Sequence, residues 1–240
     1  MFVLAFDTTS EKGGVGIFQD AECRVLVPNS GPANLYSVSL FQMADQALSE
    51  AQLELREIDL YAVANGPGSF TGIRVGLAAA RAWGQAFSKP VRGVSTLESL
   101  VTAAGVTSDW AVPILDARRG EFFLQGYRRG SREGGDSQPV CYEPEDGGWV
   151  LKPAEIARFL TEQLPGGAAA TCVVRARDEA ALALVKGLPG TLGLKQVEGT
   201  LVKTIASLAL RAEQAGNERA AASLDACYIR RPDAEIGWKG

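Results

Sequence analysis

The chain reads as an α/β protein of two related domains, each a mixed sheet covered by helices. Three features predict this. Short apolar runs alternate with longer segments of helical period. Each half opens on a strand that ends in an aspartate, followed by a glycine-bearing turn and a returning strand. These are Leu4-Ala-Phe-Asp7 with Gly13, and Ile114-Leu115-Asp116 with Gly120. The two aspartates define a weak internal repeat of about 109 residues, the size of a domain rather than of a solenoid unit. A break at 105–109 divides the chain into expected domains 1–105 and 106–240, the C-terminal segment being able to pack back on the first.

The elements follow in order. Residues 2–6 are a continuous apolar run, the pattern of a strand buried on both faces, and 15–18 and 23–27 continue it as antiparallel strands. Residues 34–51 hold good helix formers and no Pro or Gly, with Asn34 as the expected N-cap. A buried strand at 58–64 leads through Asn65-Gly-Pro-Gly-Ser-Phe-Thr-Gly72 into an alanine-rich helix reaching about Phe87. Residues 90–94 are strand-like, and Ser95-Thr-Leu-Glu98 matches a capping box that opens a helix toward Ala104. The second half repeats the opening at 110–115, turns at Arg118-Arg119-Gly120 and returns over 121–127. The polar stretch 130–148 reads as a long connection. Helices are expected at 153–163, 179–188 and 204–215, a strand at 172–175 and a short extended end at 227–230.

Composition excludes whole classes of chemistry. The 240 residues contain no histidine, which removes every His-based triad, dyad and His metal ligand. Four cysteines, Cys23, Cys141, Cys172 and Cys227, lie far apart with no C-x-x-C, so buried free thiols are expected rather than a zinc site or a disulfide framework. A net charge of −4 argues against independent nucleic-acid binding. The opening Met1-Phe-Val-Leu-Ala-Phe-Asp7 has no basic n-region, and no apolar run approaches the roughly 20 residues that span a bilayer. A cytoplasmic protein is expected.

Two constellations stand out. Asp7-Thr8-Thr9-Ser10 ends the first strand, where α/β sheets gather ligands, yet it also suits a plain Asx turn that closes a hairpin. Asp7, Thr8, Thr9, Ser69 and Asp116 are therefore candidates for a residual cleft. No Walker lysine follows the glycine loop, and Ser69 has no histidine base. The helix after the loop carries Gly72, Gly76, Ala79 and Ala80 as a small-residue stripe. Two glycines within a helix cost about 1 kcal/mol each, so close approach of another backbone is expected there, either the sheet below or a helix of a second chain. On the preceding helix Tyr36, Leu40, Met43 and Ala47 form one line, and Val38, Phe41 and Leu48 another. The first line and the small-residue stripe are the expected protein interface.

These residues resemble the TsaB (YeaZ) family. The resemblance rests on the opening Leu4-Ala-Phe-Asp7-Thr-Thr-Ser10, the block from Ala64 through Gly-Pro-Gly-Ser-Phe-Thr-Gly to Leu77, Gly93-Val-Ser-Thr-Leu97, Asp116-Ala-Arg-Arg-Gly-Glu121 and Tyr228-Ile-Arg230. It implies an actin-like ATPase (ASKHA, ribonuclease H-like) fold and a non-catalytic subunit of tRNA threonylcarbamoyladenosine biosynthesis. Such a subunit pairs through its N-terminal helices with its catalytic paralogue TsaD, or with a second copy of itself, and the ATPase TsaE joins the complex. No cofactor is required, and residual ATP or ADP binding is left open. The family's frequent histidine near the first helix is replaced here by Asn34-Leu35-Tyr36. An ATP-dependent small-molecule kinase of the same superfold, with Asp7 or Asp116 placing Mg²⁺, is the alternative.

Overall fold

The computed structural model of the protein describes residues 1–31, 35–130, 142–145, 147–164, 169–188 and 192–216. Contacts divide these into two units, Met1–Ser99 with the described residues from Gly199 onward, and Leu100–Glu198. The first unit opens on β1 (Phe2–Asp7), β2 (Gly14–Gln19) and β3 (Glu22–Pro28), followed by α1 (Tyr36–Ala51) and a single 3-10 turn at Leu55–Glu57. It continues through β4 (Leu60–Gly66), α2 (Phe70–Phe87), β5 (Val91–Ser95) and α3 (Thr96–Ala104), which runs across the division. The strands order as β3-β2-β1-β4-β5. The hairpins β1/β2 and β2/β3 are antiparallel, while β1/β4 and β4/β5 are parallel.

The second unit holds β6 (Trp110–Asp116), β7 (Phe122–Leu124), β8 (Tyr127–Arg129), β9 (Tyr142–Pro144) and β10 (Trp149–Leu151). These lead into α4 (Pro153–Gln163), β11 (Ala170–Arg175), α5 (Glu179–Gly187) and β12 (Gly193–Val197). Its order β10-β7-β6-β11-β12 repeats the first sheet in both sequence and sense, antiparallel on one side of β6 and parallel on the other. The returning strand expected at 121–127 is broken. Both β7 and β8 pair with β6, with Gln125-Gly126 between them. The expected two related α/β units with mixed sheets are present.

The last described helix, α6 (Val202–Gln214), belongs to the first unit, where it contacts β1, β2, β4 and β5. This explains why β1 is apolar throughout. Leu4 and Phe6 face the core beneath α1 and α2, with Val15, Ile17, Tyr61 and Val63. Strand side chains alternate between faces, so Val3 and Ala5 point to the other side, and both are fully buried. Val202, Ile205, Ala206, Ala209 and Leu210 of α6 are buried as well. Arg92 on β5 donates from Nε to Glu213 Oε2 of α6 at 2.7 Å and pairs with the same oxygen through Nη2 at 2.7 Å. The contacts thus divide the chain at Ser99/Leu100 rather than at 105/106, and the first unit takes a helix from far along the sequence.

Several local expectations shift. Ile58 is buried, but the strand begins at Leu60. The helix read from residue 34 begins at Tyr36 with Leu35 before it and no side-chain cap. Asn34, Cys141, Cys227 and the end at 227–230 lie outside the described residues. Within 130–148 one short strand, β9, occurs among the described positions, and β10 begins directly after this stretch at Trp149. Strand β12 was not expected, because Gly-Leu-Lys-Gln-Val is a largely exposed edge strand with no apolar alternation. Cys172 is buried as expected, but Cys23 is exposed on the edge strand β3.

The small-residue stripe of α2 is accounted for within the unit. A Cβ at Gly72 would collide with the carbonyl oxygen of Thr8, and one at Gly76 with Thr8 Oγ1, while Val63 Cγ2 would lie 3.2 Å away. The close partner is the end of β1 together with β4, and the glycines let the helix settle on it. Gly72→Ala is expected to lower stability by about 2 kcal/mol, because rigid backbone must move. Gly187→Ala, where no atom lies within 4 Å of the new Cβ, should instead gain up to about 1 kcal/mol from helix propensity. Parallel thermal melts check both signs.

Candidate functional site

Four of the five predicted cleft residues meet at the end of β1. Asp7, Thr8 and Thr9 are buried there. Asp7 Oδ1 accepts from Thr9 N at 2.8 Å and from Thr9 Oγ1 at 2.6 Å. Thr8 Oγ1 donates to the carbonyl of Gly72 at 2.7 Å, and Ser69 N donates to the carbonyl of Thr9 at 2.7 Å. Ser69 Oγ in turn accepts from Gly72 N at 3.3 Å, capping α2. Tyr36 of α1 closes the other side, its hydroxyl donating to the Ser10 carbonyl at 2.7 Å. Even Gly13 is pressed between Asp7 and Tyr36 with no room for a Cβ. The turn is thus an Asx/ST turn fastened to the start of α2 by the Thr8 hydroxyl and to the start of α1 by the hydroxyl of Tyr36.

Asp116 occupies the equivalent place in the second unit. Its Oδ1 accepts from Arg118 N at 2.7 Å, as Asp7 accepts from Thr9 N, and Arg118 Nη1 lies 3.4 Å from Oδ2. Its own N–H donates to Asp178 Oδ2 at 3.1 Å, and Asp178 Oδ1 caps α5 by accepting from Ala181 N at 3.0 Å. Here too the aspartate ties a hairpin turn to the start of a helix, the one that follows the neighbouring parallel strand β11. Among the described residues no group of three or more His, Cys, Asp or Glu side chains could hold a metal ion. Burial pushes the Cys172 thiol up to about 12, so it stays protonated and inert at neutral pH.

The surface of the two N-terminal helices differs from expectation. Tyr36, Leu40, Met43, Ala47, Gly72, Gly76, Ala79 and Ala80 are all buried in the first unit, so the line expected at an interface packs in the core. The second line is the outward one. Val38 is 59% exposed and Phe41 47%, with Leu35 just before the helix and Phe70 at the start of α2 also exposed. Leu48 of that line is buried. Phe41 meets Trp83 of α2 edge-on, with centroids 5.9 Å apart, and the Arg74 guanidinium lies 3.9 Å over the Phe70 ring. The sequence signal was present in Val38 and Phe41. What it lacked was the direction of the sheet. Among the described residues no helix is long and apolar enough to cross a membrane.

Comparison with known proteins bears on this geometry. The family model described as TsaD, tRNA N6-adenosine threonylcarbamoyltransferase, matches residues 27–142. The chain is 31% identical over 173 residues to the tRNA threonylcarbamoyladenosine biosynthesis protein TsaB of Escherichia coli, covering 69% of this chain and 68% of that protein. It is 37% identical over 147 residues to an uncharacterized protein of Mycobacterium leprae, a match spanning 60% of this chain and only 39% of that protein's length. A Pseudomonas aeruginosa crystal structure described as similar to peptidase YeaZ superposes with a TM-score of 0.72 at 22% identity. That superposition covers 95% of this chain and 99% of the other, which shows a shared fold.

One group near the ends of the parallel strands is electrostatically perturbed. Glu98 follows β5 in the first turn of α3, its N–H 3.4 Å from Ser95 Oγ, and burial pushes its carboxyl above the usual range. The neutral form is therefore favoured by folding. Its contribution is complete below the ordinary glutamate value and is lost as pH rises through the folded value. Glu98→Gln, neutral at every pH, should melt above the wild type at neutral pH, and the gap should close as pH falls toward about 4. A pH-independent gap between the two melting curves would refute this.

Proposed function

The chain belongs to the TsaB (YeaZ) family, and from that membership we propose that it is a non-catalytic subunit in tRNA threonylcarbamoyladenosine biosynthesis that binds and activates the TsaD transferase. The observation that carries the reading is the outward face of α1 and α2. Leu35, Val38, Phe41 and Phe70 are exposed on it, although the same helices already bury a full apolar face against their own sheet. Apolar surface left over after the core is complete marks a contact with another molecule. In the absence of TsaD the same face is offered to a second copy of the chain.

The non-catalytic part of the reading follows from chemistry. With no histidine, the chain has no neutral-pH acid–base group of the usual kind and no imidazole metal ligand. The hydroxyls of Thr8 and Thr9 and the Asp7 carboxylate are engaged with one another and with α2, so they serve the fold. Nothing favours the kinase alternative, which requires that turn to receive a metal and phosphates. Activation then means differential binding: the subunit must favour the competent state of TsaD over its idle one. In this reading TsaE, supplying ATP hydrolysis, joins the pair, and the complex works in the cytoplasm. The net charge of −4 leaves tRNA to the partners.

Size-exclusion chromatography with light scattering, on the chain alone and mixed with TsaD of the same organism, tests this. A stable mixed complex is expected. Val38→Asp with Phe41→Asp should weaken it by about 100-fold or more, as for a truncated hot spot. The monomer's melting point should move little, because both side chains are half exposed. Wild-type protein that forms no complex, or a double variant that assembles normally, would sink the proposal.

A further inference from the structure

The two helices of the outward face carry opposite charge. From Tyr36 to Ala51, α1 contains no lysine or arginine, and its acids Asp45 and Glu50 are both exposed. From Phe70 to Phe87, α2 contains no acid, and its arginines Arg74 and Arg81 are both exposed. Asp45 lies one helical turn beyond Phe41. Arg74, Ala78 and Arg81 repeat at i, i+4 and i+7, all exposed, so they form one line along α2. An apolar strip thus lies in a charge frame that is negative along one helix and positive along the other.

We infer that this frame, rather than the apolar strip, selects the partner: the docking protein presents carboxylates to Arg74 and Arg81 and a cationic side chain to Asp45. This rests on the docking reading given above. A two-helix face with one acidic and one basic helix is complementary to another of the same polarity when the two are related by a two-fold axis that runs along the helices. The α1 helix of each then faces α2 of the other. A second two-helix face of related fold has the shape to sit this way, and the TsaD family model matches residues 27–142, a span that includes both helices. Apolar contact supplies adhesion to any greasy surface, whereas a like-charged helix opposite Arg74 and Arg81 is repelled. Arg74 also stacks on Phe70, which holds its guanidinium at the edge of the apolar strip.

The test is binding of TsaD from the same organism to the full chain by titration calorimetry, at about 50 mM and about 500 mM salt. Wild-type affinity should fall several-fold between the two. Arg81→Glu, and separately Arg74→Ala with Arg81→Ala, should weaken binding by about 10-fold or more at low salt, with the loss shrinking at high salt. Melting points of the variants establish that they fold, and the single Arg81→Glu leaves the Arg74–Phe70 contact intact. Wild-type binding that is insensitive to salt and matched by the arginine variants would overturn the charge frame while leaving the docking reading standing. Failure of the wild type to bind at either salt would overturn both.

Discussion

In the first unit everything depends on how closely α2 can approach the end of β1. The Thr8 carbonyl occupies the place where a side chain at position 72 would begin, and Thr8 Oγ1 donates to the Gly72 carbonyl. Ser69 N reaches the Thr9 carbonyl from the same loop. Backbone-to-backbone contact of this kind tolerates only glycine, so the helix accepts two poor helix formers, at about 1 kcal/mol each, for a fixed seat on the sheet. With α2 seated, Trp83 comes within aromatic contact of Phe6 and Tyr61 below and Phe41 beside it. The position of α1, and with it the outward apolar face, follows from that seat.

The same device appears twice, with different chemistry. In each unit an aspartate ends the central strand and accepts from the backbone N–H two residues on, and the turn is tied to the cap of the helix that follows the neighbouring parallel strand. The first unit does this with small hydroxyl side chains and glycines, giving a buried and filled turn. The second uses Arg118, Arg119 and Asp178, and its turn stays exposed at Arg118 and Arg119. Residue types that look like a ligand cradle in a sequence are, in the first unit, the fastening of a hairpin to a helix. The Thr8 and Thr9 hydroxyls each donate to a neighbour, at 2.7 and 2.6 Å.

This division of labour suits a subunit that acts by contact. The polar groups at the end of β1 make the turn rigid, and rigidity is what the proposed docking face needs if little ordering entropy is to be lost on binding. The exposed strip of Leu35, Val38, Phe41 and Phe70 is mounted on helices whose inner faces are completely packed.

The sequence by itself determined the two-unit α/β plan, because the strand–Asp–turn–strand pattern at Asp7 and Asp116 and the apolar runs are local signals set by backbone geometry. It also determined the chemistry that the chain lacks, since a missing histidine needs no structure. It could not decide between two readings of one helix. Tyr36, Leu40, Met43 and Ala47 and the line of Val38 and Phe41 are both apolar, and only the position of the sheet assigns the first to the core and the second to solvent. Nor could it place α6, whose apolar face fits any sheet, or find β12, an exposed edge strand with no alternation. Those choices are tertiary because they depend on which surface remains uncovered. The inner face of β1, marked only by Val3 and Ala5, was covered by a helix from the far end of the chain.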